Sequence, residues 1–60
     1  MSSASKKDIP NTQVKANKQG VIVNVFSGPA EAVEIEFVDD YGRVYETLLL
    51  DRTDYHAYIQ

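Results

Sequence analysis

Four carboxylates fall within the stretch "VEIEFVDDYG": Glu34, Glu36, Asp39 and Asp40. Such a cluster could hold a divalent cation, share a proton as an acid/base pair, or meet a basic surface. On an extended strand Glu34 and Glu36 point the same way, about 6.5–7 Å apart. Paired-carboxylate hydrolysis needs its two groups facing each other across a bound substrate, and a chain of 60 residues has little room for a cleft. The run Asp39-Asp40-Tyr41-Gly42 lacks the spaced oxygen ligands of a calcium loop. His56 is the single histidine, and there is no cysteine to serve as nucleophile, thiolate ligand or disulfide. Ser27 with Asp51 or Asp54 could join His56 only as a triad without a nucleophile-elbow motif. These residue types argue against an enzyme and against a metal, cofactor or small-molecule substrate. A solvated strand face and a protein-docking surface remain open for the acidic stretch.

The elements that must carry these residues read as β-structure. In "VIVNVF", following Gly20, Val21, Val23 and Val25 alternate with Ile22, Asn24 and Phe26, a density of β-branched residues that favours a strand. Gly28-Pro29 breaks the run. "VEIEFV" resumes the alternation, with Val33, Ile35 and Phe37 expected inward and Glu34 and Glu36 outward. "DDYG" suits a three-residue loop, Asp40-Tyr41-Gly42, with Gly42 at positive φ, leading into the strand "RVYETLLL". That register pairs Val38 with Val44, Phe37 with Tyr45, Glu36 with Glu46 and Ile35 with Thr47. Asp51 or Thr53 can cap one helical turn, and Tyr58 and Ile59 suit a short closing strand. Residues 1–12 are small and polar apart from Ile9, with Pro10 interrupting any regular element, and read as a flexible tail. The domain is then expected over 13–60, as an all-β, small SH3-like barrel, complete or incomplete, of antiparallel strands with a short C-terminal helical turn.

A domain this small buries only about 60% of the surface its unfolded chain exposes, and without cysteine its remaining support is a partner chain or a second copy. Charge is divided unevenly. Residues 1–18 hold four lysines against Asp8, a balance of +3, whereas residues 19–60 hold two arginines against eight carboxylates, a balance of −6. The acidic part would repel a phosphate backbone and suits a basic protein surface. No stretch approaches the ~20 apolar residues of a membrane span, and the N-terminus lacks the apolar run of a secretory signal. A cytoplasmic, non-membrane protein is the expectation.

The set "VKANKQGVIVNVF…AVEIEFVDDYGRVYETLLL" resembles a family of short bacterial domains of unknown function, frequent in cyanobacteria, whose pattern runs L-K-K-G-D-x-G-T-V-V-E-V, a variable loop, Y-E-V-E-F-x-D-x-x-G-R and T-L. Gly20, Val21, Val23, Val25, Val33, Ile35, Phe37, Asp39, Gly42, Arg43 and Leu50 carry the match. The resemblance implies an SH3-like barrel. Asn17 stands near the family's first glycine and can take the same left-handed turn. The family's apolar first strand is replaced by "SSASKKDIP", which implies a degenerate first strand and an open edge available to another chain. "NKQGVIVNV" is also similar to the glycine-hydrophobic motif of KOW domains.

The function these readings favour is a small, acidic, non-enzymatic protein-binding module of an inhibitor or antitoxin-like kind, or one that forms a homo-oligomer. Its expected contact residues are Glu34, Glu36, Tyr41, Tyr45 and Glu46. A KOW-like nucleic-acid accessory domain and a structural subunit of a larger complex are the alternatives.

Overall fold

The computed structural model describes residues 2–60. Among the described residues the chain forms four antiparallel strands, the last three from the alternating segments, and one helix: β1 (Ser2–Ala4), β2 (Gln19–Phe26), β3 (Ala32–Val38), β4 (Val44–Asp51) and α1 (Arg52–Tyr58). The strands bond in chain order, β1-β2-β3-β4. This is a small all-β domain with a short C-terminal helix. The sheet is open, with its strands in the meander order of the chain and the helix following the last of them. Closure is confined to one seam, where Ser5 bridges Ile59. Lys6 N donates to the Tyr58 carbonyl at 2.8 Å and Gln60 N to the Ala4 carbonyl at 2.9 Å.

One face of the sheet is apolar and covered. Ile35 and Phe37 are fully buried with Val14, and Ile9, Leu50 and Ile59 complete the buried cluster. Ile22, Val33, Tyr45, Leu48, Tyr55 and Tyr58 pack around it. Gly20 lies against Phe37 so closely that an added Cβ would meet the ring at 3.0 Å. A side chain there would press on the ring, which would have to give by a few tenths of an ångström.

The N-terminal segment differs from the expected tail. Its first residues form β1 along Gln19–Val21, and Ile9 and Ser5 are buried. Ser5 can be buried because every polar group it brings is bonded. Its Oγ donates to the Lys15 carbonyl (2.6 Å) and accepts from Lys18 N (2.9 Å). Its backbone N–H donates to the Lys18 carbonyl, and its carbonyl accepts from Asn17 N. Thr12 fixes the following turn, donating to the Ile9 carbonyl and accepting from Val14 N. A strand at a sheet edge needs backbone partners more than an apolar face, which is how a polar stretch fills this place. The domain therefore starts at β1 rather than at residue 13. Asn17 takes φ +62°, the left-handed turn expected of it.

Two irregularities revise the expected strand faces. Between Ile22 and Asn24 the register to β3 shifts, so Val23 is an extra residue. Ile22 and Val25 consequently lie on the same side of the sheet as Ile35 and Val33, with Val25 beyond the reach of the cover, while Val21 and Asn24 lie opposite Glu36 and Glu34. The alternation that grouped Val21, Val23 and Val25 is broken at the bulge, as one inserted residue must do. In the second hairpin Val38 pairs with Val44 as expected, but a bulge then makes Tyr45 the extra residue. Phe37 faces Glu46, Glu36 faces Thr47 and Ile35 faces Leu48, one step from the expected pairing.

At the end of β4, Asp51 caps α1 by accepting from Asp54 N at 2.8 Å. Ile59 leaves the helix in an extended conformation, which returns the chain to Ser5. Removing the Ile9 side chain (Ile9→Ala) is expected to lower stability to urea by about 2–5 kcal/mol, whereas truncation in a free tail would change nothing measurable. Gly20→Ala is expected to cost about 1–3 kcal/mol in the same measurement, because the buried Phe37 ring must move.

Candidate functional site

The outer face of the sheet is built by residues that pair directly across three strands. Val21, Glu36 and Thr47 form one row, and Asn24, Glu34 and Leu49 the next. Both glutamates are half-buried, since neighbouring strands wall each carboxylate on two sides. Asn24 Nδ2 donates to Glu34 Oε1 at 2.8 Å and orients that carboxylate. Leu49, beside it, is 66% exposed. Among the described residues no cation lies within ion-pair distance of Glu34 or Glu36; the ion pairs join Arg43 to Asp39 and Arg52 to Glu31. The face thus combines two adjacent, unpaired carboxylates with an exposed leucine.

The turn uses its own carboxylate. Asp39 Oδ1 accepts from Tyr41 N and Arg43 N, both at 2.9 Å, and Oδ2 lies 3.4 Å from Arg43 Nε. Gly42 takes φ +78°, and its N–H donates to the Asp39 carbonyl at 3.0 Å. Asp39 is a turn-forming group here, which leaves Asp40 exposed beside it. Tyr41 is 82% exposed at the tip, with the Arg43 guanidinium 5.2 Å from its ring centroid.

Of the five expected contact residues, the structure brings Glu34 and Glu36 together and places Tyr41 at the end of the same hairpin. It separates the other two. Glu46 is paired with the buried Phe37 and accepts from Gln13 N at 3.0 Å. Tyr45 packs against the core cluster. Burial raises the Tyr45 phenol above its ordinary value, and the carboxylates of Glu46 and then Asp39 add to the shift. The bulge causes this separation, because a one-residue slip carries side chains to the opposite face. The expected reading missed Asn24 and Leu49, whose place beside Glu34 depends on both bulges and has no local signal in the residues themselves.

A second concavity, of about 270 Å³, lies where the far end of the β2–β3 hairpin meets α1. Val25, Phe26, Val33, Tyr55 and His56 line it, and Arg52 and Glu31 pair at 3.7 Å at its side. His56 stands edge-on to Tyr55, with ring centroids 6.1 Å apart. Asp51, one of the two acids considered for a triad with His56, is engaged in capping α1, where it accepts from the backbone N–H of the other, Asp54. Among the described residues no three His, Cys, Asp or Glu side chains gather as a metal-binding group. Among the described residues no helix is long and apolar enough to cross a membrane.

Residues 4–55 match the family described as a domain of unknown function (DUF4926). No curated protein and no solved structure matches the chain.

The Tyr45 environment gives a pH dependence of definite sign. Its folded-state pKa is raised, so the neutral phenol is favoured by folding. That contribution is complete below the unfolded value near 10 and is lost as pH rises through the folded value. Glu46→Gln is expected to move the Tyr45 titration down, followed by phenolate absorbance as the difference from Tyr45→Phe. An unchanged titration would show that Glu46 does not face this ring.

Proposed function

This chain belongs to the DUF4926 family, a domain of unknown function, and we propose that it is a small acidic protein-binding module. Its outer sheet face, centred on Glu34 and Glu36, docks a basic surface of another protein. The observation that carries this reading is the pair of half-buried carboxylates with no cation near them among the described residues. Two like charges held on adjacent rows repel each other, and a lysine or arginine from a partner relieves that repulsion while gaining two acceptors.

Magnitudes divide the work between charge and apolar contact. Exposed ion pairs contribute only about 0–1 kcal/mol each, so Glu34 and Glu36 choose the partner and speed the encounter. Affinity then comes from covering apolar surface, for which Leu49 is the exposed group on the same face. Tyr41 adds a contact at the hairpin tip. Tyr45 and Glu46 support this face from behind and do not touch the partner. Such a module works by occupying a basic surface, and an inhibitor or antitoxin-like protein against a cationic cleft is its most concrete form. It needs no cofactor and performs no chemistry of its own, and a cytoplasmic setting suits a chain with no cysteine.

One observation favours a second reading, a KOW-like nucleic-acid accessory domain. The backbones of Lys15 and Lys18 bond to Ser5, and Lys6 and Lys7 follow it directly, so four lysines gather at the closing seam. The acidic sheet outweighs them: residues 19–60 carry eight carboxylates against two arginines.

The double substitution Glu34→Lys with Glu36→Lys separates the two. Protein capture from the native host, read by mass spectrometry, is expected to lose its partner, with affinity falling about 10–100-fold. Binding of the unmodified protein is expected to weaken as salt rises through the physiological range. Retention of the same partner at unchanged affinity would defeat the reading. Tighter nucleic-acid binding by the double variant, with no protein partner lost, would support the second.

A further inference from the structure

Beyond this charged face, the molecule exposes an edge of a different character. β1 covers only Gln19–Val21 of β2. Among the described residues no strand lies along the remainder, Ile22–Phe26, on the side away from β3. Backbone N–H and C=O groups along such an edge await a partner strand. The same stretch carries much of the exposed apolar surface: Val25 is 69% exposed, with Val23 and Phe26 above 40%. At its foot lies the groove of Val25, Phe26, Val33, Tyr55 and His56, beside which Arg52 and Glu31 neutralise each other.

Charge identifies the occupant. Residues 19–30 contain no charged side chain, in a protein of net charge −3. A hetero-partner chosen by electrostatic complementarity has nothing to match on this edge. A second copy, which repels the first wherever carboxylates meet, can approach here without opposition. The other open edge is poorer for self-pairing. β4 carries Glu46 and Asp51, and antiparallel pairing of two β4 strands sets carboxylates near one another across the join.

We propose that a second copy of this chain adds its β2 antiparallel along Ile22–Phe26, joining two four-stranded sheets into one and covering Val23, Val25 and Phe26. The symmetric contact uses the same patch from each copy, as a twofold dimer requires. The Glu34–Glu36 face stays open on both copies, so dimer formation does not depend on the basic partner.

Sedimentation of the full chain at ~100 μM, a concentration that populates a micromolar dimer, tests this directly. The expected species is twice the 6.7 kDa chain. Val25→Lys, on a side chain that is mostly in solvent, is expected to raise the dissociation constant at least tenfold with the far-UV spectrum unchanged. Val23→Lys is a second disruption with the same expectation. Leu49→Lys and the Glu34→Lys, Glu36→Lys pair should leave the dimer intact. A monomeric wild-type chain at that concentration would overturn the proposal. So would a dimer that survives both valine substitutions while folded, or one dissociated by Leu49→Lys, which would place the contact on β4.

Discussion

Ser5 and the bonds around it hold the two ends of this small domain to its centre. Its hydroxyl and backbone tie β1 to the turn at Lys15–Lys18, and the adjacent bridge to Ile59 ties that seam to the chain after α1. Ile9, Val14 and Ile59 are buried only because these segments are held over the apolar face of the sheet. Ile35 and Phe37 would otherwise meet water, and a core of this size has no reserve to absorb that loss. A buried serine is tolerable when all of its groups are bonded and costly when they are not. The closure therefore rests on complete polar satisfaction rather than on apolar bulk.

That dependence explains which parts of the fold were legible in the residues. The three long strands announced themselves through β-branched alternation, and Asp40-Tyr41-Gly42 through turn chemistry, with Gly42 at positive φ and Val38 opposite Val44. Asp51, one of the two caps considered, and Asn17 in a left-handed turn followed from side-chain preference, whereas of the closing strand expected at Tyr58 and Ile59 the first residue belongs to α1 and Ile59 alone bridges back. The N-terminal strand did not show, because its place is earned by backbone pairing and by one serine, neither of which leaves a hydrophobic pattern. The candidate site was half legible for a related reason. Glu34 and Glu36 share a face by simple alternation within β3, whereas grouping Tyr45 and Glu46 with them required counting across a bulge. Period-two reasoning is sound along a strand and fails at the first inserted residue.

The surfaces that result are chemically distinct. The outer face of β3 is acidic, flanked by Leu49, and backed by a covered face on which Glu46 and Tyr45 lie. The far half of β2 is uncharged, apolar and open along its edge. The molecule measures 36 × 19 × 18 Å, long for so short a chain. An elongated sheet keeps contact surfaces apart that a sphere of the same mass would crowd together. This separation matters because a chain of 60 residues has a small interior, and its strand faces and edges make up much of its surface.

The geometry of the closing seam also has a mechanical consequence. Ala4 bonds to Gln60 and Lys6 to Tyr58 in antiparallel sense, so Ala4 and Gln60 lie together at one end of the seam and Lys6 and Tyr58 at the other. A pull that separates the two ends meets these bonds one after another, as a zipper opens, instead of loading them together. Within the seam, peeling reaches the Gln60–Ala4 bond before the Tyr58–Lys6 bond. A seam of this geometry opens by peeling one bond at a time, unlike a pair of strands drawn past each other, where all the bonds share the load.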